Sequence, residues 1–346
     1  MRAALLLAGW LWVLPLAPAG AETLNLLIWE EYIASSVIET WTARTGVEIR
    51  QIYFDNGDER DRLLADPNSN IDLATLNDLG TAIHAESGTI LRIDETSVPS
   101  IVNSAPRWRD QCRGHAVPYF WGTLGIVYRE DELSAAPRSW KDLLVPAPET
   151  AGHIAMFTGY EDLLAPALIL AGKSVSSEDP EDLKAAFAIL KAQAPAVKSY
   201  DYVITSAQDP KDGAEIHIAL AYSGDQFTLS RLTGKPWRYA LPREGGVLWV
   251  DCLVANAHSP RKELALKFLD FMNQPEIAAE NAAHLRMPTT NLAAISLLPE
   301  DMRSDPQIFP PDEAVAASSF YREFSAAAIQ LRKRIASSVT GFHDTQ

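Results

Sequence analysis

The residues best suited to chemistry in this chain are aromatics interleaved with acids. They fall in four clusters: Trp29-Glu30-Glu31-Tyr32, Gly159-Tyr160-Glu161-Asp162, Tyr222-Ser223-Gly224-Asp225 and Trp249-Val250-Asp251. An aromatic face attracts an ammonium group, and a carboxylate anchors it through a charged hydrogen bond. A slot with aromatic walls and acidic ends therefore suits an alkyl amine, whose methylenes also need apolar cover. In any one cluster the ordinary reading is a core aromatic beside a solvated acid. Joint placement favours the functional reading. Trp29 and Trp249 each end a β-like run, and side chains there project into the crevice at the carboxyl ends of strands. Trp249 and Asp251 are two residues apart, so an extended strand sends both to one face.

Other chemistries lack their residues. Ala171-Gly172-Lys173-Ser174 resembles the end of a phosphate-binding loop, but Ala167 stands where the first glycine belongs. None of the seven histidines pairs with another His or with a Cys at metal-ligand spacing. There is no G-x-S-x-G elbow, and no nucleophile or base can be named, so no catalytic residue, metal or cofactor is expected. The formal net charge is −15. Such a surface repels nucleic acid and anionic lipid and can steer cations inward.

The elements that must position these clusters alternate between strand and helix. Leu24 to Ile28 reads as a strand. Ile33, Val37, Ile38 and Trp41 follow at helical spacing, with Gly46 as the C-cap. Val47 to Arg50 alternates like a strand, and Ile71 to Ala74 reads as a short buried one. Asp179-Pro180 and Ser259-Pro260 each start a helix, and Ser319 to Ser337 reads as one long helix. The rhythm predicts an α/β architecture with mostly parallel strands. No repeat, low-complexity tract or long linker interrupts it.

The N-terminus sets the compartment. Arg2 precedes an apolar run from Ala3 to Leu16, and small residues stand at Ala19 and Ala21. This is the pattern of a signal peptide cleaved after Ala21, leaving an exported chain long enough for two cores. The run is short for a membrane span, and no Cys offers a lipid anchor at the junction. Cys112 and Cys252 are the only cysteines. They can pair in an oxidising compartment or remain as buried thiols.

At these residues the chain resembles the periplasmic spermidine/putrescine-binding proteins of ABC transporters. The resemblance is carried by Ile28-Trp29-Glu30-Glu31-Tyr32, by Val117-Pro118-Tyr119-Phe120-Trp121-Gly122-Thr123 and by Arg138-Ser139-Trp140-Lys141-Asp142-Leu143. Pro242 to Asp251 and Pro288 to Ala294 complete it. It implies a two-lobed type II periplasmic binding protein fold with the ligand cleft between the lobes and a hinge of two or three strands. Lobe 1 would comprise residues 22–123 and 250–295, and lobe 2 residues 124–249 and 296–346. By position, the resemblance makes Trp29, Tyr32 and Tyr222 aromatic walls. Trp249 would stack on the alkyl chain, Asp251 would take an ammonium, and Asp162 would be a second carboxylate. Asn77 replaces a small hydroxyl residue. Gly159 replaces an acid, and Leu79 and Met287 replace tyrosines. Glu30, Glu161 or Asp225 could restore the missing charge. The implied partners are a small cationic polyamine and an ABC permease in the inner membrane, with the protein a periplasmic monomer. Two alternatives keep the fold: an opine or amino acid as ligand, or a sensor that signals instead of transporting. The opine or amino acid would need a positive group for its carboxylate, and none of the four clusters holds an Arg.

Overall fold

The computed structural model describes residues 22–54, 56–209 and 213–343. The expected signal peptide, residues 1–21, lies outside the described residues. Among the described residues, nine strands form one continuous sheet: β1 (Thr23–Ile28), β2 (Glu48–Tyr53), β3 (Leu73–Asn77), β4 (Val117–Arg129), β5 (Ile154–Ala155), β6 (Val197–Ser199), β7 (Ile218–Tyr222), β8 (Trp237–Ala240) and β9 (Val247–Ala255). Their order is β2-β1-β3-β9-β4-β7-β5-β6, with β8 pairing β4.

The expected elements are present with shifted ends. Gly46 takes the left-handed conformation, φ 74°, that closes helix Ser35–Thr45. Asp179 caps helix Pro180–Gln193, with Pro180 at its first turn. The Ser259-Pro260 helix runs Lys262–Met272. The long C-terminal helix is Ala326–His343, not Ser319 to Ser337. The expectation of mostly parallel strands needs correction. The pairs β1–β2, β1–β3, β5–β6 and β5–β7 are parallel. The pairs β3–β9, β4–β7, β4–β8 and β4–β9 are antiparallel. β4 and β9 run against their neighbours because each carries the chain from one half of the molecule to the other.

Each half buries hydrophobic side chains on both faces of its part of the sheet. In the first half, Leu24, Leu26, Leu73, Phe120 and Phe268 pack on one face. Leu27, Trp108, Trp121, Val250 and Cys252 pack on the other. In the second half, Leu124, Trp140, Leu164 and Leu220 face one core, and Val127, Ala219 and Trp237 the other. Leu298, Met302 and Ile308, expected in lobe 2, are buried with the Leu24 cluster. Val315 and Phe320 also pack with the first half, whereas Tyr321 packs with the second.

Three segments therefore cross between the halves. β4 and β9 pair with each other at the crossing, Trp121 opposite Val250, Gly122 opposite Trp249 and Leu124 opposite Val247. The third is the stretch at Ser319, whose carbonyl accepts from the Leu248 N–H at 3.0 Å while its own N–H donates to Gly246 O at 3.1 Å. Cys112 and Cys252 form a disulfide between the end of helix Pro106–Gln111 and β9, with Cα atoms 6.0 Å apart. It encloses a separation of 140 residues. In the chain-entropy view, such a link stabilises by at most about 5 kcal/mol. The double variant Cys112→Ser/Cys252→Ser should unfold at a markedly lower temperature by scanning calorimetry. Its ligand affinity should stay within about twofold, because the bond lies in the core behind β9. An unchanged midpoint would contradict this account.

Candidate functional site

A cleft of about 1250 Å³ opens between the two halves. All eight residues singled out in the sequence line it: Trp29, Glu30, Tyr32, Asn77, Asp162, Tyr222, Trp249 and Asp251. They reach it because β1 and β3 of the first half, and β7 running the opposite way in the second, all end there. Trp29 to Tyr32 form the turn after β1. Asn77 ends β3 and caps helix Asp78–Glu86, its Oδ1 accepting from Gly80 N at 2.8 Å. Tyr222 ends β7, and Asp225 opens helix Asp225–Thr233. Asp162 stands in the first turn of helix Tyr160–Leu170. Acids at helix starts also sit favourably in the helix dipole.

Trp249 and Asp251 do share one face of β9. Val250 and Cys252, with the opposite parity, are buried behind it. Gly122 makes room for the indole. A Cβ there would come within 2.3 Å of Trp249 Cζ2, so no other residue fits opposite it. Asp251 stands across from Asn77 in the β3–β9 ladder. On its other side the β4 register shifts between Pro118 and Trp121. Such a bulge re-aims a side chain out of the pleat.

Three carboxylates are held by tyrosine hydroxyls. The Tyr32 hydroxyl donates to Asp251 Oδ2 at 2.7 Å. Tyr32 is fixed in turn by the Tyr119 hydroxyl, which donates to its carbonyl at 2.8 Å, and Asn281 Nδ2 donates to Tyr119 at 2.6 Å. Asp162 receives the hydroxyls of Tyr222 at 2.5 Å and Tyr321 at 2.9 Å. Asp225 receives the Tyr202 hydroxyl at 2.6 Å and the Tyr222 N–H at 2.9 Å. Burial pushes each carboxyl up to about 6, against the lowering effect of these donors. Asp78, behind Asn77, is also pushed up to about 6, by burial and by the charge of Asp251. Burial and the neighbouring carboxylates raise the phenols of Tyr32, Tyr222 and Tyr321, so they remain donors.

Aromatic rings wall the space. Trp29 packs on Phe54 with centroids 4.2 Å apart. Tyr222 meets Trp249 edge-on at 6.5 Å, and Phe157 lies 5.4 Å from both Tyr202 and Tyr222. The mouth is spanned by contacts between the halves. Phe227 packs against the core of the first half. The Arg286 guanidinium stands 4.9 Å from its ring. Arg231 pairs with Glu31 at 3.4 Å, and both are exposed.

Of the three acids considered as replacements at Gly159, Asp225 and Glu30 line the cleft. Glu161 is absent from its walls and accepts from the Tyr160 hydroxyl instead. Met287 lines the cleft, whereas Leu79 lies in a separate cavity with Tyr321. The sequence reading missed Tyr202, Tyr321, Phe157, Phe227 and Arg60. Tyr202 sits in an aromatic–acid stretch, Tyr200-Asp201-Tyr202, which is the signal that could have found it. Among the described residues, no group of His, Cys, Asp and Glu is arranged to hold a metal, and no helix is long and apolar enough to cross a membrane.

The chain is similar to known proteins over most of its length. A family model described as bacterial extracellular solute-binding protein matches residues 36–310. The norspermidine sensor of Vibrio cholerae is 35% identical over 324 residues, covering 93% of this chain and 90% of the relative. The spermidine/putrescine-binding periplasmic protein of Escherichia coli K12 is 28% identical over 319 residues, covering 88% and 90%. The solved spermidine/putrescine ABC transporter substrate-binding protein PotD from Streptococcus pneumoniae superposes with a TM-score of 0.85 at 25% identity, covering 93% and 100%.

The raised carboxyls fix a sign for the pH dependence. A carboxyl near 6 in the folded protein, against 3.8 as its ordinary value, binds protons that the unfolded chain does not bind in that window. Its contribution to stability therefore grows as pH falls through 6 and levels off below about 4. Asp251→Asn keeps an acceptor for Tyr32 and removes the desolvated charge. The ligand-free variant should melt above wild type at pH 8 and with it at pH 4. A difference that does not change between these pH values would show that Asp251 carries no such penalty.

Proposed function

The chain belongs to the bacterial extracellular solute-binding proteins, and from that premise we propose that its cleft binds a polyamine-like cation. The observation that carries this reading is the set of three cleft carboxylates, Asp225 buried and Asp162 and Asp251 half-buried, each fixed by tyrosine donors within aromatic walls. Such acids are costly when empty and gain most from protonated amines. The tyrosines fill part of each carboxylate's acceptor capacity and leave the rest for the ligand. Trp249 and Tyr222 cover the methylenes. In this reading Asp251 takes one ammonium from the first lobe, and Asp162 with Asp225 take another from the second. Trp29 and Tyr32 close the wall on the first side, Asn77 offers its amide N–H₂, and Glu30 adds charge at the rim.

Further parts of the reading follow from the family, with the lobe borders moved from the expected ones by where residues 298–320 pack. The lobes are residues 22–121 with 250–320, and 122–249 with 321–346, with the crossings as hinge. The protein acts in the periplasm after export, as a monomer without nucleic acid, and presents its ligand to an ABC permease. The excess of acidic residues supports the exclusion of nucleic acid. One observation favours a second reading, signalling in place of import: the 35% identity to a protein named as a norspermidine sensor. Uptake of labelled spermidine in cells with and without the gene separates the two. Import predicts loss of uptake, and signalling predicts unchanged uptake.

Binding itself is tested with the purified mature protein. Putrescine or spermidine should raise its melting midpoint by mass action. By calorimetry, Asp251→Asn should bind that amine about 10- to 150-fold more weakly, the loss of a charged hydrogen bond of about 1.5–3 kcal/mol. Unchanged affinity would remove Asp251 from the site and with it the main argument for a cationic ligand.

A further inference from the structure

The cleft also contains a cation that the acidic clusters do not account for. Arg60, on helix Gly57–Ala65, lines the cleft and is only 6% exposed. Its Nε donates to Asp61 Oδ1 at 2.8 Å. Among the described residues that is its only hydrogen bond, so the four Nη N–H groups have no protein acceptor there. A guanidinium stays protonated at any physiological pH and presents its donors in a fixed fork. Arg is rarely this buried without full pairing.

The position is built rather than incidental. A Cβ at Gly80 would stand 2.9 Å from Asn77 Oδ1 and 3.0 Å from Arg60 Nη2, so this glycine leaves space for the head group beside the helix start. The guanidinium carbon lies 5.8 Å from the Phe54 ring centroid, and Phe54 packs on Trp29. Asp61, Phe54 and the start of helix Asp78–Glu86 thus enclose it, and the cleft is left as the open side. Its charge also acts on Asp251, opposing the rise that burial causes. The first lobe therefore sets a cation beside an anion at one end of the cleft.

A ligand made only of ammonium groups and methylenes offers Arg60 no acceptor and repels it. We infer that the ligand carries a carboxylate beside the ammonium taken by Asp251, and that Arg60 is the specificity-determining residue that selects for it. The ligand class is then an alkyl diamine or polyamine with one amino-acid-like end. Arg60 forks onto the carboxylate, Asp251 takes the adjacent ammonium, and the far ammonium goes to Asp162 and Asp225. This inference rests on the amine-binding reading of the same cleft.

Two matched pairs test it, each differing by one carboxylate: putrescine with ornithine, and cadaverine with lysine. Titration calorimetry on the wild-type protein should find the carboxylated member of a pair tighter by about tenfold or more. Arg60→Met keeps the length of the side chain and removes its charge. It should weaken binding of the carboxylated member by about 10- to 100-fold while leaving the plain diamine equal or tighter. Arg60→Lys, with its charge but without its fork, should fall between. Tighter binding of the plain diamines by wild type, with a ratio unmoved in Arg60→Met, overturns this inference and leaves the amine reading standing. Should Arg60→Met not fold, the wild-type ratio decides alone. No binding by any of the four compounds or by spermidine overturns the amine reading and this inference together.

Discussion

Everything in the cleft is positioned by the antiparallel register of β4 and β9 at the crossing between the lobes. Trp121 to Leu124 and Val247 to Val250 pair there, and each strand then continues into the other lobe. This register lays Trp249 over Gly122 and sets Asp251 across from Asn77 and beside the bulge in β4. Through β4 it also fixes β7, whose Tyr222 stands opposite Leu124. A slip of one residue would turn Trp249 and Asp251 into the core and Val250 into the cleft. The disulfide at Cys252 and the third crossing at Ser319 reinforce the same stretch. The hinge is therefore also the scaffold of the site.

The second constraint is electrostatic. Carboxylates drawn out of water resist ionisation, and Asp162, Asp225 and Asp251 all do so here. Tyrosine hydroxyls offset part of that cost and hold each oxygen in place. They do so without supplying positive charge, so the attraction for a cation is kept. A lysine or arginine in the same positions would satisfy the acids fully and abolish the need for a ligand. Arg60 is the departure from this pattern, and its Nη donors leave it as incomplete as the acids it stands among.

What the sequence made legible was local. The two-residue spacing of Trp249 and Asp251 fixed their common face, because strand periodicity leaves no alternative. Strand ends pointed Trp29 and Trp249 into the crevice, whereas Asn77, Asp162 and Tyr222 were given their places by the resemblance. Helix starts with strong caps, such as Asp179-Pro180, were readable to within a residue. The direction of β4 and β9 was not, since an apolar run looks the same whichever way it is threaded. Residues 296–320 were assigned to the wrong half for a similar reason. Their apolar side chains show that they pack, but not on which core. Tyr321 reaches Asp162 across 159 residues, a contact that no local pattern encodes. Arg60 stands in Asp58-Glu59-Arg60-Asp61-Arg62, which reads as a solvated helix face. Only Gly80 and Phe54 around its head group show otherwise.

The contacts across the mouth bear on how the lobes hold together. Glu31 and Arg231 are both exposed, and such a pair contributes at most about 1 kcal/mol. Phe227 on the opposing core, with Arg286 over its ring, adds apolar cover of modest extent. Against these stand the acids of the two lobes, Asp251 on one side and Asp162 and Asp225 on the other. Like charges facing each other across a poorly solvated gap repel, and a cation between them reverses the sign. In the proposed reading, the acids that recognise the ligand therefore also oppose closure without it. In that reading binding and closure are coupled, and removing a carboxylate weakens the grip on the ligand while easing the approach of the empty lobes.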